Sequence, residues 1–156
     1  MKSGRLAVPL MMAAAMACDD TPGGPEMPAC LAGVFSPGAI AGTHDYVAWA
    51  DSGTRLLEGV LTIMGQSNQH VSGTWEIHLA AGADTANPND IGPQIGTGDL
   101  IGVVQDTTVL IDLTPNFADN NVSLLGCVTA EGLAGTWSHV GMLGEIAHGP
   151  FATTKR

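Results

Sequence analysis

The chain has 156 residues, of which 15 are Asp or Glu and only 5 are Lys or Arg. That acidic balance argues against nucleic-acid binding and against an anionic lipid surface for the body of the protein, because a negative surface repels phosphate. Charged residues make up 13% and aromatics 4%, beside 21 glycines, a mixture suited to one domain of short strands and tight turns rather than amphipathic helices.

The first element is a leader. Residues 1–5, "MKSGR", carry Lys2 and Arg5, and no acid precedes Asp19; without these two, 3 basic residues face 15 acidic ones, a formal −12. The apolar stretch "LAVPLMMAAAMA" follows. It is shorter than the roughly 20 residues a spanning helix needs and has the length of a signal-peptide core. Ala15-Met16-Ala17 then satisfies the small-x-small rule for cleavage, and Cys18 comes next. One outcome is ordinary secretion. The segment also resembles the lipobox of bacterial lipoproteins, whose cysteine becomes diacylated and forms the new N-terminus, with Ala15 here where Leu is usual. The resemblance implies a signal peptide over 1–17, lipidation of Cys18, a membrane as partner through that lipid, and a place in the bacterial cell envelope, on the inner or the outer membrane.

The cysteine count bears on this. An oxidising compartment disfavours an odd thiol, and the chain has three cysteines. With lipid on Cys18, Cys30 and Cys127 remain as a disulfide pair closing a loop of roughly 100 residues, worth up to about 4–5 kcal/mol in the chain-entropy picture. Between Cys18 and Cys30, "DDTPGGPEMPA" is built of prolines, glycines and acids. Such a segment buries almost nothing, so 18–29 reads as an extended tether reaching roughly 30 Å at about 3.1 Å per residue.

From Cys30 to residue 156 the pattern is strand after strand. "HDYVAWAD" (44–51) precedes a turn at Ser52-Gly53-Thr54. "RLLEGVLTIMG" (55–65) turns through "QSNQ" into "VSGTWEIHL" (71–79), where Val71, Gly73, Trp75, Ile77 and Leu79 alternate with polar residues, a period of two that marks a half-buried strand. "TGDLIGVVQ" (97–105) turns at Asp106-Thr107 into "TVLIDLTP" (108–115), which Pro115 should end. "VSLLGCVTA" (122–130) turns at Glu131-Gly132 into "LAGTWSHVG" (133–141), and "EIAHGPFATTK" (145–155) closes the series, with Pro150 at an edge or a bulge. Gly59, Gly73, Gly102, Gly126 and Gly135 fall on candidate inward faces. Val71-Ser72-Gly73-Thr74-Trp75 is echoed by Leu133-Ala134-Gly135-Thr136-Trp137. Sheet closure would remove wet apolar faces and open edges together, so the expected fold is all-β, an antiparallel up-and-down barrel of about eight strands. An open sheet or two-layer β-sandwich is the alternative. In hairpin rhythm and in its two Gly-Thr-Trp triplets the chain resembles small bacterial lipoproteins with a lipocalin-like or streptavidin-like barrel; no ligand residue transfers from that likeness.

Few residue patterns in the chain point to chemistry. His44, His70, His78, His139 and His148 occupy five segments without metal-ligand spacing, and no G-x-S-x-G is present. The expectation is therefore no catalytic residue, no metal ligand and no cofactor. The Asp/Asn-rich loops "ADTANPND" (83–90) and "FADNN" (117–121) are turn formers that could also offer oxygens to Ca²⁺, though neither has EF-hand spacing. Trp75, Trp137 and Trp49 are the candidates for lining a ligand cavity, and equally for filling a packed core. The functional expectation is a non-catalytic, membrane-anchored envelope protein holding a small apolar ligand inside the barrel. Its alternative is a structural or interaction module that meets an envelope protein.

Overall fold

Eight strands follow one another around a closed barrel, each antiparallel to its neighbours, and the last pairs with the first. They are β1 (Gly42–Trp49), β2 (Arg55–Gly65), β3 (His70–Leu79), β4 (Gly96–Gln105), β5 (Thr108–Asp112), β6 (Asn120–Val128), β7 (Leu133–Gly141) and β8 (Gly144–Lys155). One short helix, α1 (Pro37–Ile40), precedes them. The computed structural model describes residues 25–66, 68–83, 91–117 and 119–156. The expected signal peptide, Cys18 and the tether up to residue 24 lie outside the described residues, as do 84–90.

The register follows from the alternation. Opposed residues on neighbouring strands point the same way, so one inward residue fixes the whole ring. Tyr46 lies opposite Gly59, Gly59 opposite Ile77, and Ile77 opposite Gly96. On the other half Ile111 lies opposite Leu124, Leu124 opposite Trp137, and Trp137 opposite Gly149. All five glycines expected on inward faces are there. Their smallness has a direct reason at the Gly126–Gly135 pair: a Cβ on Gly135 would overlap the Leu125 carbonyl and come within 2.4 Å of the Gly126 Cα. Only bare backbone lets β6 and β7 coil that sharply.

The interior is lined mainly by apolar side chains. Tyr46, Leu57, Leu61, Ile77, Leu100, Ile111, Leu124, Trp137 and Phe151 are all buried and belong to one cluster. The wall outside is mixed, with Thr62, Thr74, Glu76, His78 and Asp99 exposed. That polarity is the reverse of a membrane-spanning barrel, whose apolar band faces outward.

Two strands end earlier than alternation suggests. β5 stops at Asp112 rather than near Pro115, because the Asp112 carboxylate accepts the Thr114 N–H at 2.8 Å and turns the chain. β6 stops at Val128, because the Thr129 hydroxyl accepts the N–H groups of Glu131 and Gly132 and builds the turn. Pro150 lies past the last rung between β8 and β1, which is Phe151 opposite Ala48, so its missing N–H costs the ladder nothing.

The two ends of the barrel differ. At the proximal end, where residues 25–30 enter, Cys30 is disulfide-bonded to Cys127 and Leu31 N–H donates to the Val128 carbonyl. There α1 covers the opening and places Ile40 in the core. At the distal end lie the β1–β2 turn, the β3–β4 connection, the β5–β6 loop and the β7–β8 turn at Met142-Leu143. Residues 91–95 of the β3–β4 connection fold back as a plug: Ile91 and Gln94 are buried, and Gln94 accepts from the Tyr46 hydroxyl at 3.4 Å while donating to the Ile91 carbonyl.

Candidate functional site

The three tryptophans do different things. Trp75 and Trp137 point into the barrel and are buried, whereas Trp49 is half-buried where β1 ends. The structure does not bring the three together around a void.

Trp75 sits at a weak seam. The β4/β5 ladder begins only at Ile101 opposite Asp112, so Gly96–Leu100 lacks a neighbour on that side. The indole lies over Gly98, its opposite residue, where a Cβ would come within 2.6 Å of the ring. Its Nε1–H then donates to the Leu113 carbonyl at 2.7 Å and to the Asp99 carbonyl at 3.2 Å. The ring thus spans the gap where backbone pairing has stopped. Trp137 does the same between β8 and β1: its Nε1–H donates to the Trp49 carbonyl at 2.8 Å, beside Gly149.

Because β4 and β5 part at the distal end, a cleft of about 300 Å³ opens there. Trp75 forms its inner wall, and Pro93, Ile95, Leu113, Pro115 and Phe117 line it. Ile95 is 46% and Phe117 62% exposed at its rim. A second, more apolar depression of about 440 Å³ lies on the wall over β3–β5, bordered by Ile101, Val103 and Leu110. Among the described residues, clefts lie on the wall and at this rim, while the barrel axis is occupied by core side chains.

Two histidines are buried, one at each end. His44 donates from Nε2 to the Ile40 carbonyl at 2.9 Å, and its Nδ1, 3.2 Å from Thr153 Oγ1, accepts from that hydroxyl. Thr153 in turn accepts the Leu133 N–H at 2.8 Å. Burial holds the His44 pKa below its ordinary 6.5, with nearby Lys155 acting in the same direction. His139 is buried at the distal end, with Nε2 2.7 Å from Asn120 Oδ1, its ring packed under Gly92 and Nδ1 without a partner among the described residues. Burial drives the Tyr46 hydroxyl pKa well above its ordinary value of 10.0. On the surface, the Arg156 guanidinium holds Asp45 below the usual carboxylate range, donating to Oδ1 at 3.0 Å from Nε and also from Nη2.

One pairing invisible in the sequence invites a catalytic reading. Ser138 lies opposite His148 on the barrel wall, and His148 contacts two carboxylates. Its Nε2 is 2.8 Å from Asp51 and its Nδ1 2.8 Å from Glu145, while Ser138 Oγ is 3.0 Å from Ser123 Oγ. Both imidazole nitrogens are therefore engaged away from the hydroxyl, and a general base needs one of them. Of the loop "FADNN", Asn121 is committed to Asp112 and Thr114 and Asn120 to His139. Among the described residues, no cluster of three His, Cys, Asp or Glu has metal-binding geometry.

Compared with known proteins, the chain matches no family model, no curated protein and no solved structure.

Proposed function

We propose that this chain is a lipid-anchored, non-catalytic protein of a bacterial cell envelope that works as an interaction module, using the distal end of its barrel. The observation that carries this reading is a contrast in where bulky apolar groups lie. The interior is lined by Tyr46, Trp137 and Phe151, yet Phe117, Met142, Leu143 and Ile146 are exposed on adjoining segments at the end remote from Cys30, while the exposed Leu31, Val34 and Met64 lie at the Cys30 end, on the side of the tether. A tether on Cys18 would hold the proximal end toward the membrane and present that rim outward. Contiguous exposed apolar patches rimmed by polar residues mark contact surfaces, whereas singly exposed apolar residues do not.

A second reading, small apolar ligand binding, is favoured by the seam cleft beside Trp75. The site would then be at the rim rather than along the barrel axis. Tryptophan fluorescence during titration with lipids and hydrophobic dyes separates the two. The interaction reading expects no response at micromolar ligand; a saturable shift abolished by Phe117→Ser would support the ligand reading and displace the first.

A further inference from the structure

The distal rim is charged as well as apolar. Met142 and Leu143 form the two-residue turn between Gly141 and Gly144, and they are 80% and 103% exposed. Neither residue has a positive φ, so the turn admits most residue types and gives no reason for this pair, and neither residue packs against the core. Ile146 lies over Gly141, with Cδ1 2.6 Å from where a Cβ would stand, and Phe117 lies on the neighbouring loop, its carbonyl accepting the Asn120 N–H. Asn120 is opposite Gly141, so these residues form one apolar tip.

Carboxylates surround the tip. Glu145, Asp51 and Asp119 are exposed at this end, with Asp99 and Glu58 slightly lower on the wall. Among the described residues the only Lys or Arg at the distal end is Arg55, already 2.7 Å from Glu58. Lys155 and Arg156 lie at the proximal end, the former donating to the Ala39 carbonyl. Glu26, Asp106 and Glu131 are exposed at the proximal end too, so both ends carry carboxylates, and the distal end is the more acidic because only Arg55 among the described residues offsets its acids there. A second copy brought tip to tip would oppose carboxylate to carboxylate, and an anionic membrane would be repelled likewise.

We infer that the distal tip docks a second envelope protein through an apolar socket bordered by Lys or Arg, with Met142 and Leu143 as the inserted anchors. The inference rests on the interaction reading above. Apolar anchors would supply affinity and the carboxylate ring would set encounter rate and specificity.

The test places a photoreactive benzoyl-phenylalanine at position 142, or at position 34 near the tether, in the full chain expressed in cells. Irradiation should give an adduct from 142 and not from 34, mapping to a partner segment with apolar residues flanked by Lys or Arg. Adding Asp119→Lys and Glu145→Lys should cut the adduct yield by about tenfold, as expected for loss of complementary charge. A protein adduct from 142 that ignores the charge reversals, or an adduct to lipid or to a second copy, overturns the cationic partner. No adduct from 142 overturns the interaction reading itself.

Discussion

Trp75 and Trp137 stand four strands apart and perform the same task. Each is preceded by an inward glycine two residues earlier, each lies beside a glycine on the next strand, and each donates its indole N–H to a backbone carbonyl beyond the end of a short ladder. The acceptors are Leu113 past β5 and Trp49 past the β8/β1 rungs. The two Gly-Thr-Trp triplets thus mark a two-fold echo in the barrel: β3–β4–β5 repeats as β7–β8–β1.

If the indole N–H bridges these seams, Trp75→Phe and Trp137→Phe should each cost about 1–3 kcal/mol, the range for leaving a buried carbonyl unpaired. Because the two seams lie on different strand triplets, the double variant should be additive to within about 0.5 kcal/mol. Urea unfolding of the four proteins measures both quantities. Coupling well above that value would mean the seams share one structural unit.

Gly135→Ala should be far worse than an ordinary surface substitution. Its Cβ would overlap backbone atoms of β6 that cannot rotate away. A loss of about 1–3 kcal/mol, the usual cost of forced overpacking, is expected in thermal unfolding. Gly82→Ala serves as a contrast, since nothing lies within 4 Å of a Cβ there and only its left-handed φ of 79° opposes the change.

The Cys30–Cys127 bridge spans a sequence separation of 97. Cys30→Ser with Cys127→Ser should lower stability by up to about 4–5 kcal/mol, chiefly by releasing the unfolded chain. Thiol titration of the denatured, unreduced wild-type protein should find neither cysteine free. Two reactive equivalents from this pair would contradict the bridge.

Acid should weaken the protein through His44. Its folded pKa lies below the ordinary 6.5, so below that pH the unfolded chain binds more protons than the folded one. The contribution is intact above about pH 6.5 and is lost as pH falls from there through the lower folded value. His44→Gln should flatten this part of a stability-versus-pH curve, whatever it does to stability at neutral pH. An unchanged slope in the variant would rule out His44 as its source.

Cys18 lies outside the described residues, and its expected lipidation is tested in cells. Cys18→Ser should move the protein from the membrane to the soluble fraction. Continued membrane association would mean that the anchor is something else.

Much of the architecture was readable along the chain. The bounds of β2 and β7 coincide with the segments 55–65 and 133–141 that alternation marks, and the same alternation puts the five glycines on the inward face. The missing parts are those in which residues distant in sequence meet. Ending β5 at Asp112 depends on a carboxylate turning back to Thr114, a competition that apolar periodicity does not register. The packed axis depends on Gln94 reaching Tyr46, 48 residues away, and on His44 meeting Thr153, 109 residues away.

By itself, the order of residues determined which side chains share a face, because a strand alternates with period two whatever it pairs with. It also determined the odd cysteine count and the acidic total. Only tertiary structure decided that the faces close into one barrel, that two indoles stitch its short seams, and that Phe117, Met142, Leu143 and Ile146 meet Asp51, Asp119 and Glu145 at the end opposite the disulfide. The physical reason is that alternation is local, whereas closure, seam position and the polarity of the axis depend on which strand ends become neighbours.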